Sequence, residues 1–224
     1  MEEKSNKTHN NTVLVTVRTQ STRLPKKCLL KFGNYTMIEH ILRRCLYYEL
    51  TPIVCTTTDR NDDIIVEIAE TLSIRHFRGS SINKLLRWRD CCKLYNLSHF
   101  HSVDADDPFF CGNEVKRSMS LLHDNYDMVE PTISSSHGGA TVGYSLTYDI
   151  IKKTCDNIHD ETNTEMMWHF VNKNKNLNKI QLPEPDNYVI TSRMTLDYPE
   201  DYIMLEKLRK NVGNFASREE IFNF

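Results

Sequence analysis

The hydrophobic positions near the start of the chain change from a continuous run to a helical spacing. The run Val13–Val17 is largely apolar and β-branched, which is typical of a strand buried in a parallel sheet. The polar segment Arg18–Lys27 contains Pro25 and predicts a loop. After it, apolar residues follow the i, i+3, i+4, i+7, i+8 spacing of an amphipathic helix, namely Ile38, Ile41, Leu42, Cys45 and Leu46. These patterns predict a strand, a loop and a helix in that order.

The same alternation continues through the first half of the chain. Asp62 and Asp63 stand where they can cap a helix that carries Ile65, Ile68, Ala69 and Leu72. The other predicted elements are strands at Ile53–Thr57, Ile74–Phe77 and Phe100–Val103 and a helix at about Ile82–Tyr95. Strands that alternate with helices indicate an α/β fold with a mainly parallel sheet.

The second half of the chain carries shorter periodic segments. We expect helices at Glu114–His123, near Tyr148, near Met166 and at Pro199–Lys210, strands at Met128–Glu130 and Tyr188–Leu196, and a turn at Ser134–Gly139. Residues 1–11 have no hydrophobic period and predict a flexible tail. We therefore expect a single domain over residues 12–224.

The composition is that of an ordinary folded protein. Hydrophobic residues make up 39% of the 224 residues, which is enough for a sizeable core. The formal net charge of −2 indicates no general affinity for nucleic acid or for an anionic membrane, so an anionic ligand needs a local basic cluster. The polar start and the lack of a long apolar run favour a cytoplasmic protein. The seven cysteines form no C-x-x-C pair and predict reduced thiols.

A local basic cluster follows the first predicted strand. The loop Arg18–Lys27 contains two arginines, two lysines and three hydroxyl side chains. Backbone N–H groups at a strand-to-loop turn bind phosphate oxygens, and arginine and lysine add charge-assisted hydrogen bonds. Because ligands of open α/β sheets bind at the carboxyl ends of the strands, this loop predicts a phosphate site.

The loop resembles the signature R-x-x-S-T-R-L-P-x-K of the cytidylyltransferases that make CMP-activated sugars. That family includes CMP-KDO and CMP-acylneuraminate synthetases and the related spore-coat polysaccharide proteins. The chain matches the signature at Arg18, Ser21, Thr22, Arg23, Leu24, Pro25 and Lys27. Further segments that look like the family lie at Thr56–Asp59, Phe77–Ser80, Val103–Pro108 and Arg193–Asp201. The resemblance implies a Rossmann-like, GT-A-like nucleotidyltransferase fold in three layers.

The resemblance also implies an activity. It predicts transfer of CMP from CTP to a sugar-acid or related acceptor with release of pyrophosphate, in surface glycan biosynthesis and by a homodimer. It places Asp106 and Asp197 as ligands of Mg²⁺, which prefers oxygen ligands and one or two carboxylates. The expected catalytic residues are Arg18, Arg23, Lys27 and Asp106. The expected nucleotide-binding residues are Ser21 and Thr22 in the loop, with Thr57, Asp59 and Arg78 for the cytosine and ribose.

Several alternatives remain open from the sequence. Asp197 precedes Pro199 and Glu200 and also reads as a helix N-cap. The carboxylates Asp104, Asp106 and Asp107 also fit a solvated turn. Asp104 and Asp106 match the D-x-D pattern of a GT-A-type glycosyltransferase that uses a nucleotide-sugar.

The chain also departs from the family pattern. Gln20 and Lys26 stand where relatives often carry glycine, and Asn83 or Lys84 lies near the position of an acidic residue. A side chain at a glycine position can obstruct the approach of the backbone to a phosphate. These departures allow a catalytically impaired nucleotide-binding homologue.

Overall fold

A computed structural model describes residues 11–224 of the chain. Residues 1–10 of the predicted tail lie outside the described residues. The strands are β1 (Thr12–Thr16), β2 (Lys31–Phe32), β3 (Tyr35–Thr36), β4 (Thr51–Thr57), β5 (Arg75–Gly79), β6 (His99–Asp104), β7 (Met128–Glu130), β8 (Ser145–Thr147) and β9 (Lys179–Gln181). The α-helices are α1 (Met37–Tyr47), α2 (Asp63–Thr71), α3 (Lys84–Tyr95), α4 (Gly112–Leu122), α5 (Tyr148–Cys155), α6 (Met167–Val171), α7 (Pro199–Val212) and α8 (Arg218–Phe222).

Seven strands form one mainly parallel sheet in the order β5-β4-β1-β6-β8-β7-β9. The strand β8 runs antiparallel to both of its neighbours, and every other pairing in this sheet is parallel. The strand β1 lies at the centre, where Leu14 pairs with Ile53 on one side and Ser102 on the other. The predicted α/β class and mainly parallel sheet are confirmed.

Helices cover both faces of the sheet. Val13 and Val15 point into a core shared with α1, α2 and α4, whereas Leu14 points into a core shared with α3, α5 and α6. This alternation follows from the period of two along a strand, and burial on both faces explains why β1 is apolar throughout. A smaller third core joins α7 and α8 to Phe109 beside the carboxyl edge of the sheet. The result is the three-layer arrangement that the resemblance implied.

The segment Tyr188–Leu196 is not a strand, so that prediction was wrong. Its backbone bonds to loops instead: Met194 N donates to Gly138 O at 2.9 Å and Leu196 N donates to Asp106 O at 2.7 Å. The segment has the β-branched and apolar residues of a strand, but β-propensity depends on the partners that the tertiary structure offers. Its irregular course carries the chain across the carboxyl edge of the sheet.

Other differences involve short elements. The sequence did not predict β2, β3, β8, β9 or α8, which have two to five residues each and are too short for a periodic signal. Leu46 was placed on the buried face of α1, yet its exposed fraction is 48%. All seven cysteines are buried and unpaired, as expected of reduced thiols. Over residues 11–224, no helix is long and apolar enough to cross a membrane.

Candidate active site

Lys27 lies at the centre of a charged cluster on the carboxyl edge of the sheet. Its ammonium nitrogen is 2.5 Å from Asp106 Oδ2, 3.0 Å from Asp197 Oδ1 and 2.8 Å from the carbonyl oxygen of Leu196. Lys27 is the last residue of the first loop, Asp106 follows β6, and Asp197 precedes α7. Two segments that are far apart in the sequence therefore place their oxygen atoms around the ammonium group of a third segment.

Asp197 is shared with two arginines. Arg23 Nη2 lies 2.6 Å from Asp197 Oδ1, and Arg193 Nη2 donates to Asp197 Oδ2 at 2.8 Å. Both guanidinium groups also lie over the Tyr198 ring, at 5.5 and 5.8 Å from its centroid. Arg193 is further held by Asp201, whose Oδ1 lies 3.1 Å from Arg193 Nε. Sequence reasoning quoted Arg193 within a family segment but gave it no role.

Asp201, rather than Asp197, satisfies the start of α7. The backbone N–H groups of Asp197 and Tyr198 both donate to Asp201 Oδ2 at 2.9 Å. The N-cap position is Tyr198, and Pro199 begins the helix. The Asp197 side chain does not act as the cap and is directed to Lys27, Arg23 and Arg193.

The cluster perturbs the ionisation of its members. Burial disfavours the charge on Lys27, but the attraction and hydrogen bonds of Asp106 and Asp197 outweigh it and raise the lysine pKa. Burial raises the pKa of Asp106, and the nearby ammonium of Lys27 opposes this shift. Two carboxylates and a backbone carbonyl around one cation are a donor set of hard oxygen atoms, which is the ligand type that Mg²⁺ prefers. The oxygen atoms of Asp106 and Asp197 are therefore of the chemical type that would hold the predicted Mg²⁺.

A cavity of about 230 Å³ opens beside the cluster. Its wall includes the predicted residues Arg18, Ser21, Thr22, Arg23, Lys27 and Asp106. Gln20, Arg87, Asp104 and Glu165 also line it. The backbone of the first loop folds back on itself here, because Ser21 N and Lys26 N both donate to Thr19 O. The structure thus brings the basic loop and Asp106 together around one concave site.

Asp104 and Asp106 are directed to different cations. Lys84 is buried, and its ammonium lies 2.9 Å from Asp104 Oδ1. Burial disfavours the charge on Lys84, but Asp104 outweighs it and raises the lysine pKa. Because Asp106 pairs with Lys27, the two aspartates do not meet at one point as a shared D-x-D metal site.

Three predicted nucleotide-binding residues do not line the cavity. Thr57 is buried and donates to Asp62, and its hydroxyl accepts from Asp59 N at 3.1 Å. Arg78 donates to the carbonyl oxygens of Thr57 and Asp59 at 2.9 and 2.7 Å and pairs with Asp63 at 2.5 Å. In this structure these side chains hold the loop after β4 in shape, and their predicted contacts with cytosine and ribose stay predictions.

Asp62 is a buried anchor for the first loop. Its Oδ1 accepts from Thr19 N at 2.8 Å and from Thr19 Oγ1 at 2.7 Å, and its Oδ2 accepts from the hydroxyls of Thr56 and Thr57. The sequence predicted that Asp62 caps α2, but its side chain makes no capping bond. Burial disfavours its ionised form, yet these hydrogen bonds outweigh burial and lower the pKa of Asp62.

We expect Asp62→Asn to destabilise the protein by about 2 to 3 kcal/mol at neutral pH, because an amide nitrogen faces buried donors that need an acceptor. Urea unfolding followed by circular dichroism measures this loss. Since the folded pKa is lowered, the contribution is present above the unfolded pKa of about 3.9 and is lost as the pH falls through the folded value. The adjacent Asp63→Asn is the control, since Asp63 is exposed and its ion pair is worth about 1 kcal/mol or less. Equal losses in both variants would contradict the anchoring role.

The two departures from the family's glycines have different consequences. Lys26 adopts a left-handed backbone conformation with φ of 55°, which glycine enters without steric cost. Glycine is therefore favoured at this position for two reasons. It adopts the left-handed conformation easily, and it leaves space for a phosphate near the backbone. Gln20 donates from Nε2 to Asp59 Oδ2 at 2.6 Å and links the first loop to the loop after β4.

The seven-stranded, mainly parallel sheet with helices on both faces is an α/β nucleotidyltransferase fold. The model of the family described as cytidylyltransferase matches residues 12–211. The chain therefore belongs to the cytidylyltransferase family.

Individual relatives agree with this fold. The chain is 28% identical over 206 residues to an uncharacterised protein of Methanocaldococcus jannaschii, covering 88% of this chain and 82% of that protein. A cytidylyltransferase from Leptospira borgpetersenii serovar Hardjo-bovis has a similar structure, with a TM-score of 0.85, 21% identity and coverage of 96% and 93% of the two chains. A CMP:2-keto-3-deoxy-manno-octonic acid synthetase in complex with CTP is also similar, with a TM-score of 0.67, 12% identity and coverage of 89% and 98%.

Proposed function

We propose that this protein transfers CMP from CTP to a sugar-acid or related acceptor and releases pyrophosphate. The observation that carries the proposal is the contact of Lys27 with both Asp106 and Asp197 beside the basic first loop. Membership of the cytidylyltransferase family supports cytidylyl transfer, and the similarity to a synthetase of a CMP-activated sugar acid supports this acceptor class.

The proposed reaction is an attack of an acceptor oxygen on the α-phosphorus of CTP. The P–O bond to pyrophosphate breaks as the new P–O bond forms, and negative charge develops on the phosphate oxygens. Lys27 and Arg23 bind these oxygens and the departing pyrophosphate, while Arg18 and the hydroxyls of Ser21 and Thr22 orient the triphosphate. Ion pairs with Asp106 and Asp197 hold Lys27 and Arg23 at the carboxyl edge of the sheet, beside the proposed position of the triphosphate.

Asp106 and Asp197 would hold Mg²⁺ in this proposal. The bound ion would neutralise charge on the phosphate oxygens, and water and substrate would complete its ligands. Carboxylates on two different segments of the fold suit this task, since a rigid sheet and the start of α7 fix their separation.

The decisive experiment is an acceptor panel. The purified protein is mixed with CTP, Mg²⁺ and sugar acids that include KDO and N-acetylneuraminate, together with polyol phosphates, and pyrophosphate release is followed. We expect release that depends on acceptor, metal and CTP, with little from UTP or ATP. Release from UTP or ATP as fast as from CTP would contradict the proposal. Binding of CTP with no release for any acceptor would favour an impaired homologue and point to Gln20 and Lys26.

The proposal extends to the setting of the reaction. An activated sugar acid serves the synthesis of surface glycans, and we propose this role in the cytoplasm. We also propose a homodimer, on the basis of the family resemblance. Light scattering tests this state, and the mass of one chain at assay concentration would contradict it.

A further inference from the structure

One end of the cavity carries Glu165 and Arg87, which the catalytic proposal does not use, next to Arg18 of the first loop. Arg18 Nη2 lies 3.2 Å from Glu165 Oε2, while Arg18 Nη1 donates to the carbonyl oxygen of Ser81 at 3.1 Å. Arg87 is buried, lines the same cavity and donates to the carbonyl oxygen of Ser80 at 2.7 Å. This end therefore lies between the turn after β5 and Glu165, whereas Asp106 and Lys27 line the metal side of the cavity.

The segment before α6 is fastened so that Glu165 stays at the cavity. Thr164 is fully buried, and its hydroxyl accepts from Leu85 N at 3.0 Å and donates to Asn83 Oδ1 at 2.9 Å. The Asn83 amide nitrogen donates to the carbonyl oxygens of His159 and Asp160 at 3.4 and 3.2 Å. Two buried polar side chains thus tie this segment to the start of α3.

Asn83 both accepts and donates hydrogen bonds through its side chain, whereas an ionised acidic residue at this position could only accept them. Its Oδ1 caps α3 by accepting from Leu86 N at 2.9 Å, and its amide nitrogen holds the neighbouring segment. An aspartate would keep the cap but would have no donor for the carbonyl oxygens of His159 and Asp160. The departure from the family pattern at Asn83 is therefore matched by a structural role.

A nucleotide whose triphosphate lies on the first loop extends its base away from the phosphates. The end of the cavity at Glu165 and Arg87 is available for that base. Cytosine presents a 4-amino donor where uracil presents an oxygen acceptor, and carboxylates accept from this amino group. A carboxylate next to the uracil oxygen would leave two acceptors facing each other, which disfavours the wrong base.

We infer that Glu165 selects cytosine by accepting a hydrogen bond from its 4-amino group, and that Asn83 and Thr164 are positioning residues for Glu165. The inference rests on the proposed function, because it needs CTP in this cavity. Glu165 is 52% exposed in its side chain, and its partner there is Arg18, so the carboxylate is accessible to a base. Arg87 lines the same end of the cavity.

Calorimetric titration with CTP and with UTP, both in the presence of Mg²⁺, tests the inference without a known acceptor. The wild-type protein is expected to prefer CTP. Glu165→Gln is expected to reduce the ratio of CTP affinity to UTP affinity by roughly 10- to 100-fold, because glutamine can rotate its amide to donate to uracil. Glu161→Gln is the matched control, since Glu161 lies on the same exposed segment but does not line the cavity. It should leave the ratio unchanged.

The positioning role has its own variant. Asn83→Asp is expected to lower the CTP to UTP ratio in the same direction while the protein stays folded, since the cap of α3 is kept. An unchanged ratio in Glu165→Gln, including equal weakening of both nucleotides, would overturn the inference and leave the proposed function standing. Equal binding of both nucleotides by the wild type would overturn it too. Absence of CTP binding by the wild type would overturn the proposed function itself.

Discussion

Replacing Asp106 or Asp197 by asparagine is expected to lower kcat for pyrophosphate release on the order of a thousandfold. Each substitution removes one negative charge from the pair that contacts Lys27 at 2.5 and 3.0 Å and keeps the shape of the side chain. The neutral amide is a poorer ligand for Mg²⁺ and no longer orients the ammonium group electrostatically. The measurement is steady-state release of pyrophosphate from CTP at saturating acceptor over a range of Mg²⁺ concentrations.

A charge-matched control separates the site from a general effect of charge. Glu200→Gln removes a carboxylate from an exposed position in the first turn of α7, three residues after Asp197. It should keep kcat within about twofold of the wild type, on the basis that exposed substitutions away from a site have small effects. Activity of the Asp106 and Asp197 variants at the level of this control would exclude both carboxylates from the catalytic site.

Acidification from pH 6.5 to pH 5 is expected to remove about 1.5 kcal/mol of stability for each of two buried histidines. Burial lowers the pKa of His40 to about 4 and that of His101 to about 3. The unfolded chain takes up protons near pH 6.5 while the folded chain does not, so the stabilisation is present above pH 6.5 and falls as the pH drops. Urea unfolding at several pH values measures this slope.

Both histidines support the strand and loop that carry Asp106. His101 in β6 accepts at Nε2 from Gly143 N at 3.2 Å, so its Nδ1 carries the proton and donates to Ser145 Oγ at 2.8 Å. His40 lies 2.8 Å through Nε2 from the carbonyl oxygen of Pro108. Protonation would force a charge into a buried site and would disturb the backbone next to Asp106, the proposed catalytic carboxylate.

Substitution isolates these two contributions. His101→Asn keeps a donor near the position of Nδ1, and His40→Gln keeps one near Nε2, so each variant removes the titration and preserves the main hydrogen bond. Each is expected to flatten the dependence of stability on pH between 6.5 and 5. The exposed His137 provides a control, and His137→Asn should leave the slope as in the wild type. An unaltered slope in both buried variants would show that other groups control the acid response.

Asp197 illustrates where sequence reasoning reaches its limit. Its position two residues before Pro199 predicted a helix cap, whereas the family resemblance implied a metal ligand, and both interpretations call for an aspartate. The structure excludes the cap, because Asp201 accepts from the backbone at the start of α7, and the role as a metal ligand stays a prediction. The choice depends on which carboxylate the tertiary structure turns towards Lys27, and no local pattern records that direction.

The buried carboxylate Asp62 also shows that local sequence does not determine which partners a charged side chain binds. Its sequence context, just before an apolar period, predicted a cap for α2. In the structure the start of the first loop lies beside the end of β4, and Asp62 accepts hydrogen bonds from Thr19, Thr56 and Thr57. Asp62 is 99% buried because the first loop packs against it. A polar residue in a polar stretch gives no sign of this burial, because the packing segment is distant in the sequence.

The sequence by itself determined the order of the main strands and helices, the basic loop after β1 and the family. Hydrophobic period and loop motifs are local, so neighbouring residues are enough to reveal them. The tertiary structure decided which charges meet. Lys27 and Asp197 are 170 residues apart in the chain, and they touch because β1 and β6 end, and α7 begins, at one edge of the sheet. An ion pair of this kind depends on the order of the strands and on the course of the irregular segments. Contacts across the whole fold determine both.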